Sequence, residues 1–127
     1  MANKNNTSFP SCTVTITLTP EARNFLAGTT AGVSHFAIYN DLLDNMAIVD
    51  TSFSKRGNIV PLLTGQAESS AHSMSERWKL GRKSMVRILS TMDDLGIIRL
   101  HTSRLASISD MLSVDKCQTN DGDICYP

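Results

Sequence analysis

Arg82, Lys83, Ser84, Arg87 and Thr91 lie close together in a stretch whose apolar residues recur at helical spacing. Guanidinium and ammonium groups can reach phosphate oxygens or the O6/N7 edge of guanine, and hydroxyls can donate to phosphates or base edges. At 100° per residue, Met85, Leu89 and Met92 share one side of a helix, with Ile88 at its flank. Lys83, Arg87 and Thr91 point the opposite way, and Ser84 and Ser90 stand beside them. A base-reading helix needs this division, with one face for anchoring and another for long cations and short hydroxyls. An ordinary amphipathic surface helix shares it. Asp93 and Asp94 close the stretch, slightly against the helix dipole.

Other chemistries find less support in the chain. His35, His72 and His101 have no acid or cysteine at ligand spacing, so neither a metal nor a cofactor is expected. Gly28 and Gly32 lack the neighbouring strand and lysine of a phosphate loop. No Ser/His/Asp or Cys/His arrangement marks an activated nucleophile, so an enzyme is not expected. Trp78 could stack on a base, but on a stripe with Ala71 and Met74 it reads as core. Cys12, Cys117 and Cys125 form no CxxC pair and read as reduced thiols of a cytoplasmic protein, although Cys117 and Cys125 could bridge on oxidation. No run approaches the ~18 apolar residues of a membrane helix. The first residues lack the apolar segment of a signal peptide.

Twelve Lys+Arg balance twelve Asp+Glu over the 127 residues, so whole-chain charge points to no partner. Its distribution is uneven. Residues 77–104 carry net +5, flanked by net −2 over 1–54 and net −3 over 105–127. A neutral chain can thereby present one positive face.

With 41% hydrophobic residues the chain can build one core. The expected organisation is a flexible N-terminus over 1–12, a single domain over 13–112 with its core at 34–109, and a flexible acidic tail over 113–127. Strict alternation predicts a strand from Thr13 to Leu18. Thr19 and Pro20 then start a short helix that stops at Gly28. A linker over 29–32 leads to a helix from Ser34 to Ala47, then a loop and an extended piece over 58–64, where Pro61 implies an edge. Helices follow over 68–78 and 82–94, separated by a tight turn at Lys79–Gly81. Two short strands, 97–101 and 104–109, complete the domain.

The run from Gln66 through Trp78, Gly81, Arg82, Arg87 and Leu89 to Gly96 and Ile98, preceded by Lys55–Val60, resembles winged helix-turn-helix DNA-binding domains of phage replication and mobile-element regulatory proteins. The resemblance covers residues 34–109. It implies an α+β, mainly helical fold, a winged helix-turn-helix carrying an extra N-terminal strand and short helix. It also implies sequence-specific binding of double-stranded DNA by a transcriptional or mobile-element regulator. Arg82, Lys83, Ser84 and Arg87 match positions that approach the major groove. Arg99 and Arg104 fall on the wing, and Thr91 joins the DNA-binding set from the helix pattern itself. Gly81 departs from the usual serine and removes a capping hydroxyl, and the turn between the wing strands is short. The strand and helix at 13–27 lie outside the pattern and would either complete the sheet or build a dimer interface. The expected partners are duplex DNA and a homodimeric copy, without membrane or small-molecule ligand. The alternatives are a protein–protein interaction module on the same fold, or a replication or excision accessory factor.

Overall fold

Three of the four helices among the described residues begin at a hydroxyl. In the computed structural model, which describes residues 12–127, Thr19 Oγ1 accepts from the Ala22 amide (3.1 Å) and opens α1 (Pro20–Leu26). Ser34 Oγ accepts from Ala37 (3.1 Å) and opens α2 (His35–Asp44). Ser70 Oγ accepts from Ser73 (3.3 Å) and opens α3 (Ala71–Trp78). These bonds satisfy amides that the first turn leaves unpaired. The longest helix, α4 (Arg82–Asp94), starts at Gly81 with no side-chain cap. Before it, Lys79 ends α3 in the left-handed region (φ 55°).

The strands correct the expectation of a mainly helical fold. Helix and strand contribute about equally, because the described residues hold ten strands in four small sheets beside the four helices. Strand β1 (Cys12–Ile16) confirms the strand the alternation predicts, but begins one residue earlier and stops two residues before Leu18. The pair β2 (Thr29–Thr30) with β3 (Val33–Ser34) occupies the expected linker and the start of the expected second helix. Strand β4 (Thr51–Lys55) occupies an expected loop, while its partner β5 (Asn58–Leu62) falls within the extended piece expected over 58–64. Both hairpins close on two residues of positive φ, Ala31–Gly32 and Arg56–Gly57. Turns of that hand match the twist of paired strands, so a polar Thr/Ser stretch zips where composition alone reads as loop. Strand β6 (Gln66–Glu68) takes the residue expected to open the third helix. It pairs with β8 (Ser107–Asp110), which also pairs with β7 (Arg99–Thr102).

A second correction concerns the C-terminal segment. Residues 113–127, expected as a flexible acidic tail, contain β9 (Val114–Thr119) and β10 (Ile124–Cys125). Strand β9 pairs antiparallel with both β1 and β10. Val114 and Cys117 are buried. Cys117 and Cys125, directly opposite one another, form a disulfide rather than the reduced thiols expected. Cys12 remains free and half-buried; burial, with the negative charge of Asp44, pushes its thiol above the ordinary value. The N-terminal strand thus completes a sheet with the C-terminal segment. The rest of the expected flexible N-terminus, residues 1–11, lies outside the described residues.

One buried cluster forms the core: Ile38, Tyr39 and Leu42 of α2 and Met85, Leu89 and Met92 of α4 belong to it, with Leu26 of α1, Met74 of α3, Ile97, Ile98 and Val114, all essentially inaccessible. Each such side chain contributes about 1.5–3 kcal/mol by leaving water. The assignment of Met85, Leu89 and Met92 to the anchoring face of their helix holds. No helix of the described residues is long and apolar enough to cross a membrane.

One polar cluster spans the β6–β8–β7 sheet. Asp110 accepts from Gln66 Nε2 (2.8 Å), and its other oxygen lies 2.8 Å from His101 Nε2. Partial burial disfavours this carboxylate. The hydrogen bonds from His101 and Gln66 and the charges of His101 and Arg99 outweigh burial and hold its pKa below the usual carboxylate value. A depressed native pKa stabilises the fold above the unfolded-state value, about 3.9, and that contribution is lost as pH falls through the native value. Asp110→Asn is therefore expected to cost about 1 kcal/mol at neutral pH. The gap between wild type and variant should close below about pH 4 in thermal melts. A gap independent of pH would mean the ionised form is not what the cluster stabilises.

Candidate nucleic-acid interface

The two helices of the basic segment meet at a short, firmly held turn. Asp41 of α2 accepts from Arg77 Nη2 (2.8 Å) and from Trp78 Nε1 (2.9 Å), which pins the end of α3 to α2. The Leu80 amide returns to Ser75 O (3.0 Å), and α4 leaves at once from Gly81. Trp78 is packed against the core with its indole N–H already engaged. It is a half-buried anchor whose indole N–H is not available to a base.

In front of this turn lies a groove of about 670 Å³, half open to solvent. Four elements wall it. Ser70 and Ser73 come from the start of α3; Arg82, Val86 and Ser90 from one side of α4. The turn between β7 and β8 brings Arg104, and the turn between β4 and β5 brings Lys55 and Arg56. No carboxylate lines it. Among the described residues only Lys55 of these cations is in an ion pair, with Glu68 at 2.8 Å. Arg56, Arg82 and Arg104 are exposed and held by no ion pair. Cations free of carboxylates, with hydroxyls between them and a positive helix end at α3, form a surface suited to a chain of phosphates.

The residues expected to contact DNA divide into three groups. Arg82 and Arg104, far apart in sequence, both line this groove, from α4 and from the β7–β8 turn. Lys83 and Arg87 are exposed on the adjoining face of α4, while Ser84 is half-buried there. Thr91 and Arg99 are placed less favourably. The Thr91 hydroxyl donates to Arg87 O (2.8 Å) within its own helix, so it has no free proton to offer a base. Arg99 opens β7 at the base of the hairpin, in register with Asp110, and does not line the groove.

Lys55 and Arg56 were not among the expected contacts, although they open the Lys55–Val60 stretch of the resemblance. The readable signal is Arg56–Gly57, a two-residue turn able to carry a cation at its tip. His72, also on the groove wall, carries no such signal. No group of three His, Cys, Asp or Glu among the described residues is placed to hold a metal ion. Comparison with protein families, curated proteins and solved structures finds no match for this chain.

Proposed function

We propose that this chain binds double-stranded DNA, with α4 and the β7–β8 turn straddling one sugar–phosphate strand. The observation that carries this reading is the convergence of Arg82 and Arg104 on a groove without carboxylates. The exposed Lys83 and Arg87 extend the positive surface along α4 to where base edges would be read. Regulation by occupancy of a DNA site, as a transcriptional or mobile-element regulator, is the biological role that fits such a surface.

Binding of this kind releases counterions and weakens steeply with salt. A fluorescently labelled mixed-sequence duplex, titrated with the protein, is expected to bind in the micromolar range at roughly 50 mM salt and to lose most of that affinity by roughly 200 mM. Binding that is flat across this range, or absent at the lower salt, would remove the DNA reading. The groove would then have to be explained by a protein partner.

A further inference from the structure

The β4–β5 hairpin lies outside the helix–turn–helix stretch, yet its turn forms one wall of the groove. We infer that this hairpin is a second phosphate-contacting arm, with Arg56 as its contact residue; this deepens the duplex-binding reading and rests on it. Three observations support the assignment.

First, the arm is fixed. Val60 and Leu62 of β5 are buried against the body of the protein, and Lys55 is tied to Glu68 of β6. Second, the tip is sharply defined. Lys55 pairs with Asn58, leaving only Arg56 (φ 52°) and Gly57 (φ 79°) in the turn, both positive as a type I′ turn requires. Asn, Asp or Gly is the usual residue at the first of these positions, and arginine there is disfavoured on backbone grounds alone. Third, the guanidinium is unclaimed: Arg56 is exposed and forms no ion pair among the described residues. It reaches the same groove as Arg82 and Arg104. Among the described residues no Phe, Tyr or Trp lines that groove, which favours a backbone phosphate over an unstacked base as the occupant.

The turn supplies its own test. Arg56→Asn creates the preferred type I′ pair with Gly57, so the variant should fold at least as stably as wild type while losing the cation. It is expected to bind a labelled mixed-sequence duplex about three- to tenfold more weakly at roughly 50 mM salt. The slope of log affinity against log salt should be smaller by about one. Arg56→Lys, which keeps the charge, is expected to retain the wild-type slope. Unchanged affinity and slope in Arg56→Asn, alongside weakened binding by Arg82→Ala, would overturn the second arm and leave duplex binding standing. So would an Arg56→Lys variant that behaves like the asparagine. Failure of wild type itself to bind would overturn the underlying reading, and the arm with it.

Discussion

Replacing Arg82 and Arg104 together with alanine is expected to weaken duplex binding about a hundredfold without unfolding the protein. Each charge-assisted hydrogen bond to a phosphate is worth about 1.5 kcal/mol or more net, and about 1.4 kcal/mol is a factor of ten. The two side chains reach the groove from α4 and from the β7–β8 turn, so both should be lost as independent contacts. Both are exposed and neither is in an ion pair among the described residues. The thermal midpoint should therefore move only within the range of surface substitutions, about 0.5 kcal/mol. Arg99→Ala is the matched control. It removes an equal charge from the same hairpin but outside the groove, and should change affinity by less than about threefold. If Arg99→Ala weakened binding as much as either groove variant, net charge alone would be responsible and the groove would lose its meaning. A large drop in midpoint for the double variant would make those arginines structural.

How much of this was readable in the residues depends on the range of the forces involved. Helices α2 and α4 follow from apolar spacing, the start of α2 from Ser34 and the stop of α4 from Gly96, while α2 ends at Asp44, three residues before the expected Ala47. Strand β1 follows from strict alternation. Strands β4 and β9 do not, because Thr51–Lys55 carries a single apolar residue, Phe53, and β9 alternates only weakly. Their strand character comes from partners: a two-residue turn in one case, and in the other a strand from the opposite end of the chain. That is why the helical share was overestimated. The candidate site divides in the same way. Arg82, Lys83 and Arg87 are visible as one face of one helix. Arg56 enters only because the β4–β5 turn folds back beside α3. The Thr91 hydroxyl is lost to a local bond that helical-wheel reasoning ignores.

The C-terminal segment is held by more than the pairing of β9 with β1, and Tyr39 is where that can be measured. Its ring is fully buried, and its hydroxyl meets Ser113 Oγ at 2.6 Å, also buried. Burial pushes the phenol above its ordinary pKa, with the Ser113 hydrogen bond acting in the opposite direction. The Ser113 backbone donates to Ile97 O (3.1 Å) and accepts from the Thr17 amide (2.8 Å). One residue thus joins α2, the turn after α4 and the residue following β1 to the segment expected to be a tail. Tyr39→Phe keeps the ring but strands the serine hydroxyl, a loss expected to cost about 2 kcal/mol, or roughly 6–10 °C in midpoint. Ser113→Ala should cost a similar amount by stranding the phenol. Removing both partners leaves nothing unsatisfied, so the double variant should be clearly more stable than the two single losses summed, with a coupling of about 1 kcal/mol or more. Strict additivity would show that water reaches both hydroxyls. In that case residues 113–127 would be attached through the pairing of β9 with β1 and the burial of Val114 and Cys117, without a contribution from the Tyr39–Ser113 bond.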